Sequence, residues 1–122
     1  MIAIALAIGG AAGAIARYYL QGWVVDLVGP APWGTFVVNV LGAFLLGFFL
    51  TLTEERVLVP SVYRTFVAVG FLGSFTTFST LVWESQQLFS RGDAPAGLAN
   101  LAGSVLAGVA AVYLGVAAGR LV

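Results

Sequence analysis

Polar positions in this chain are few and clustered, and they divide it into four long apolar runs. The first extends from Ile2 to about Val28, interrupted by Arg17, Gln21 and Asp26 and closed by Gly29, Pro30 and Pro32. The second extends from Trp33 to Leu52, with Asn39 as its strongest polar group. A short polar connection, Thr53-Glu54-Glu55-Arg56, leads through Pro60 to Arg64. The third covers about Ser61 to Phe89, and its middle differs from the rest. There, Gly70 to Thr80 holds Ser74, Thr76, Thr77, Ser79 and Thr80 as well as two glycines. After Arg91-Gly92-Asp93 and Pro95, the fourth run goes from Ala96 to Gly119 and ends at Arg120. A membrane-spanning helix needs about 20 mostly apolar residues, so each run predicts one span. Trp23, Trp33 and Trp83 fall toward the span ends, as interfacial anchors do. The expected fold is an all-α membrane protein, one four-span domain over residues 1–122, with its third helix broken near the middle.

Composition supports the bilayer as solvent. The 122 residues are 61% hydrophobic and 8% charged, with a mean hydropathy of +1.04, against roughly 25% charged for a soluble domain. A soluble helical bundle would need a polar outer face, and these runs are apolar nearly all round. The apolar start lacks the positive flank of a secretory leader and runs on past Gly13, so it reads as a retained span. Five acidic residues balance five arginines, which points to no nucleic-acid partner. Histidine, lysine and cysteine are absent, which removes the usual neutral-pH proton switch, thiol chemistry and most metal-ligand sets. Enzyme chemistry is not indicated.

Four spans place both termini and the Thr53–Arg64 connection on one side. That side holds Arg56, Arg64 and Arg120, and the other holds Arg91. The bias favours cytoplasmic termini but is small, as it would be in a chain that inserts both ways or in a weakly biased one.

Helices in lipid meet through small residues. The fourth span repeats Gly103, Ala107, Ala111, Gly115 and Gly119 at four-residue intervals, beside a polar track of Asn100, Ser104 and Gly108. The first span places Gly9, Gly13 and Arg17 on one face. The small-residue stripes predict helix packing. Asn100 and Ser104 fit either structural hydrogen bonds or the lining of a pathway. Because a four-helix core fills with side chains, a solute route would run between copies, and a two-fold dimer is the commonest arrangement.

Polar groups at membrane depth are functional candidates. Asn39, with Thr35 one turn earlier, is one set; Arg17 is another; the Gly70–Thr80 segment, with Glu84 one turn beyond, is the third. A break in that segment would free carbonyl oxygens, which suit a small cation. It would also turn Phe75 and Phe78 toward different neighbours. Phenylalanine has a positive ring edge, and amide and hydroxyl donors from Asn39, Ser104 and the threonines could join it around a small hydrated anion. The bland alternative is that the hydroxyls bond to carbonyls one turn back and the rings face lipid.

At these residues the chain resembles the Fluc (CrcB-type) fluoride channels over nearly its whole length. The matching stretches are Gly10-Ala11-Ala12-Gly13-Ala14-Ile15-Ala16-Arg17-Tyr18, Gly34-Thr35-Phe36-Val37-Val38-Asn39 with Gly42 and Gly47, and Gly70 through Thr80 to Glu84. The resemblance implies a passive channel of the bacterial plasma (inner) membrane, through which fluoride leaves the cell, giving fluoride resistance. It implies an antiparallel, dual-topology homodimer with two pores at its interface. Asn39 and Phe78 would line the pore, with Thr35, Thr77, Ser79, Thr80, Ser104 and Glu84 along the pathway and Arg17 in the vestibule. Backbone carbonyls of Gly73 and Thr76 from both subunits would hold a structural sodium ion, Na+, at the dimer axis, with no organic cofactor. The chief departure from the family pattern is Leu81, where a second phenylalanine is expected; Ser74, where a second glycine is common, and Asn100, where the family can carry tyrosine, are further ones. Some family members pair two different subunits, so a non-conducting partner of a heterodimeric channel is one alternative. A small multidrug-type proton-coupled antiporter is another, but it needs a carboxylate in the first span, and Ile2 to Tyr19 has none.

Overall fold

The computed structural model describes all residues, Met1–Val122. It is helical throughout: α1 (Ile2–Val28), α2 (Trp33–Thr51), α3 (Ser61–Arg64), α4 (Gly73–Phe75), α5 (Phe78–Ser90) and α6 (Ala94–Leu121). Wide, π-type turns continue α2 from Leu52 to Arg56 and link α3 to α4 from Thr65 to Leu72. Four helical runs are long and apolar enough to cross a membrane: Ile2–Val28, Trp33–Arg56, Ser61–Ser90 and Ala94–Leu121. The chain is therefore a multi-pass membrane protein.

Helix ends follow local chemistry. Gly29, at φ 126°, ends α1 in a backbone region that side-chain-bearing residues rarely adopt. Asp93 caps α6, its Oδ1 accepting from the Ala96 N–H at 3.2 Å, with Pro95 in the first turn, where its missing N–H does no harm. The second span outlasts its expected end at Leu52 and stays helical to Arg56. No breaker occurs before Pro60, and the polar ends are held by ion pairs. Arg64 Nη2 lies 2.9 Å from Glu54 Oε1, and Arg120 Nη2 lies 3.3 Å from Glu55 Oε1. Arg56 also donates to the Arg120 carbonyl. These contacts bring the C-terminus and the 53–64 connection to one end of the molecule, and Met1 lines a shallow cleft with Val62 and Tyr63 at that same end. The spans therefore alternate in direction.

Small residues set the packing, as lipid supplies no hydrophobic drive for it. A β-carbon on Gly9 would sit 2.6 Å from the Phe66 carbonyl oxygen, and one on Gly13 would strike the carbonyl oxygen of Phe71. The first span is thus pressed against the first half of the third. In α6 the small-residue ridge is used in part. A β-carbon on Gly115 would strike the Phe44 carbonyl oxygen and one on Gly119 would lie 3.1 Å from that of Phe48, whereas Gly103 has open space beside it. Gly47 returns the contact: a β-carbon there would sit 2.5 Å from the Val112 carbonyl oxygen.

Candidate functional site

Two residues in the third span leave the helical region. Thr76 has φ −92° and ψ 158°, and Thr77 has φ −150° and ψ 114°, so the chain runs extended between α4 and α5. Extended backbone inside an apolar layer must find partners elsewhere. Asn39 supplies them: its Nδ2 donates to the Thr77 carbonyl at 3.0 Å, and its Oδ1 accepts the Thr77 N–H at 2.7 Å. One proton of the Asn39 amide remains free for another acceptor.

The hydroxyls divide into two kinds. Thr76 Oγ1 bonds back to the Leu72 carbonyl at 3.1 Å, as the bland reading of the segment predicts. Thr77 instead caps α5, its Oγ1 accepting from the Thr80 N–H at 3.2 Å. The same oxygen lies 3.0 Å from Thr80 Oγ1 and 3.4 Å from Ser79 Oγ. Thr77, Ser79 and Thr80 thus form one hydroxyl cluster at the start of α5. The first N–H groups of a helix have no partner within it, so this start carries partial positive charge.

The two phenylalanines beside the extended residues point apart. Phe75 is buried and stacks on Phe71 with ring centroids 5.8 Å apart. Phe78 is 77% exposed. Asn39, Gly73, Thr76, Thr77 and Phe78 border one open cleft of about 290 Å³, floored by Gly42, Leu72 and Val112. A β-carbon on Gly42 would collide with the Thr76 methyl, so glycine there leaves room for the extended turn. Leu81, by contrast, is buried within the chain.

The other expected residues lie outside this cleft. Thr35 is buried and donates to Glu84 Oε1 at 2.5 Å, while the second oxygen, Oε2, is buried without a partner. Ser104 Oγ is also buried and unpartnered. It borders a second cavity, of about 400 Å³, with Asn100, Phe36 and Trp33. Arg17 sits on α1 with its Nε buried and unpaired. The structure therefore joins Asn39 to the Thr77–Thr80 cluster and Thr35 to Glu84, but gives neither Ser104 nor Arg17 a bond to either group.

Two residues not singled out from the sequence complete these networks. Gln21 Nε2 donates to Thr35 Oγ1 at 3.1 Å. Its position one turn after Arg17 on the same helix face was the available signal. Ser85, almost wholly buried, accepts from Asn100 Nδ2 at 2.9 Å and donates to the Leu81 carbonyl at 2.8 Å. That pairing spans 15 residues and locks α5 to α6; no periodicity in the sequence marks it.

The family described as CrcB-like protein, Camphor Resistance (CrcB), matches residues 4–116. The chain is similar to proteins named fluoride-specific ion channel FluC. That of Magnetococcus marinus is 46% identical over 118 residues, covering 96% of each chain. That of Solidesulfovibrio magneticus is 46% identical over 118 residues, covering 96% of this chain and 94% of its own. That of Geotalea daltonii is 42% identical over 120 residues, covering 98% and 97%. With matches of this extent in sequence, the chain belongs to the CrcB-like protein family.

Proposed function

We propose that this chain is a passive fluoride channel that lets fluoride leave the cell across a bacterial plasma membrane and so lowers its toxicity. The observation that carries the reading is the Asn39-clamped extended turn, with exposed Phe78 and the partly buried hydroxyl cluster beside it at the edge of an open cleft. The names of its relatives support fluoride as the ion. They are channel names, and the chain is not an enzyme.

The chemistry suits fluoride on two grounds. Fluoride is small and strongly hydrated, so a site must replace its water with donors and still release it. Hydroxyls, one free amide proton and the N-terminal turn of α5 offer such donors without a fixed cation, and the edge of Phe78 adds a weak positive rim. Asn39, Thr77, Ser79, Thr80 and Phe78 form the central part of the proposed route. Thr35 and Glu84 stand on one flank, Ser104 on another, and Arg17 serves a vestibule.

The route is completed by a second copy. Phe78, 77% exposed at the edge of an open cleft that also holds Asn39 and Thr77, can close a pore against another chain. The two copies would pack antiparallel, consistent with the small arginine bias, and the broken third span would lie at their contact. Gly73 is exposed and Thr76 is extended, so their carbonyls suit a structural sodium ion shared between copies. Such an ion would fix the two turns against each other.

A second reading rests on Leu81. Buried where an aromatic partner ring is expected, it fits a subunit that conducts only beside a different family member. The proton-antiporter reading has no comparable support, because α1 carries no acid before Asp26. Growth of a fluoride-sensitive bacterium lacking its own exporter tests the proposal. The chain, once present in the membrane fraction, should restore growth in fluoride medium; no rescue would count against it, and rescue only with a second family member would favour the paired-subunit reading.

A further inference from the structure

We infer that Gln21 is a positioning residue that orients the Thr35 hydroxyl for its bond to Glu84. The effect on transport rests on the fluoride-channel reading; the bonded chain itself does not.

A hydroxyl has one proton and rotates to suit its neighbours. A carboxylate only accepts, so the Thr35 hydroxyl donates to Glu84 Oε1 at 2.5 Å, while Gln21 Nε2 fills a lone pair of Thr35 Oγ1 at 3.1 Å and holds the hydroxyl in that orientation. Two donors in series polarise each other and strengthen the last bond. Thr35 is 3% exposed, so water has little access to take the place of Gln21. The arrangement depends on how closely α1 approaches α2. A β-carbon on Gly34 would lie 3.1 Å from the Gln21 carbonyl oxygen and 3.3 Å from Gln21 Cα. With glycine there, the backbones touch and the Gln21 amide reaches the next residue, Thr35.

The consequence falls on Glu84. Its Oε1 is held, and its buried Oε2 has no partner. Glu84 also borders a cavity of about 250 Å³ with Gln87 and Arg91, at the end of the molecule away from the termini. A carboxylate free to swing there would set a negative charge in front of an entering anion. The Thr35 bond draws that charge toward Oε1 and fixes the side chain, and Gln21 keeps Thr35 committed to it. Gln21 therefore controls the rate at which fluoride passes this mouth without touching the ion.

The test uses the full chain reconstituted in liposomes. Gln21→Leu should slow fluoride efflux by about tenfold, the order expected for one lost hydrogen bond. Thr35→Val should slow it similarly, and the double variant should be no slower than Thr35→Val alone, since the two act in one chain. The infrared carboxylate band of Glu84, assigned by its loss in Glu84→Gln, should shift in Gln21→Leu. Should Gln21→Leu fail to fold, Gln21→Glu keeps the length but replaces the donor with an acceptor, and should move the band and slow efflux. An unmoved band, efflux within about twofold of the parent, or fully additive effects would overturn the inference. If the parent itself passes no fluoride, the channel reading fails while the Glu84 band still decides the bonded chain.

Discussion

Asn39 grips Thr77 at both backbone groups, donating to its carbonyl at 3.0 Å and accepting its N–H at 2.7 Å. A single side chain thereby satisfies the residue at which the third span leaves the helix. Asn39→Leu strips both bonds and leaves two polar groups at membrane depth, each costing about 1–3 kcal/mol when unsatisfied. The variant should unfold in detergent at a clearly lower temperature than the parent, and lose more than about tenfold in fluoride efflux. Unchanged melting would mean that Thr77 has other partners.

Phe78 and Phe75 should respond oppositely to truncation. Phe78 is 77% exposed, so Phe78→Ile should leave melting and size-exclusion elution nearly unaltered while suppressing transport. Phe75 is 4% exposed, and Phe75→Ala should cost about 3–5 kcal/mol through the cavity it leaves. Paired melting curves and efflux traces separate the two; normal conduction by Phe78→Ile would remove the ring from the pore.

Glycine positions offer a similar contrast along one helix. A β-carbon on Gly115 would strike the Phe44 carbonyl, so Gly115→Ala should destabilise by about 1–3 kcal/mol. Gly103 has nothing within 4 Å in the single chain. Gly103→Ala should leave thermal stability alone, and a shift to later elution on size-exclusion chromatography would place this half of the ridge at the proposed contact between copies.

Leu81→Phe examines the departure from the family pattern. The position is 6% exposed, so the larger ring has to be accommodated, at about 1–3 kcal/mol of overpacking if nothing gives way. Faster fluoride efflux with a modest drop in melting temperature would show that the missing ring limits the homodimer. Equal or slower efflux would show that leucine suits this pore.

The four spans were legible because long apolar runs bounded by Gly29, Pro60 and Pro95 need nothing beyond local pattern. Their ends were less so. Glu54, Glu55 and Arg56 read as a connection, yet stay helical because Arg64 and Arg120, distant in sequence, neutralise the two acids. Asn39 stood out as a buried amide, but its partner lies 38 residues away, and only the fold reveals that the amide serves the backbone of Thr77. Gln21 was hidden for the same reason. Its role depends on Gly34 letting α1 touch α2, and on Glu84 standing 49 residues beyond Thr35. Half of the α6 ridge finds a helix within the chain, and pattern alone could not divide it.

On the proposed reading, this chain carries fluoride by itself through a site beside Asn39 and Phe78. Liposomes containing only the purified chain, loaded with equal fluoride and chloride and monitored with ion-selective electrodes, test it most directly. Rapid release of fluoride with chloride retained is the expected result. Fluoride release no faster than from protein-free liposomes, or chloride leaving alongside it, would contradict it.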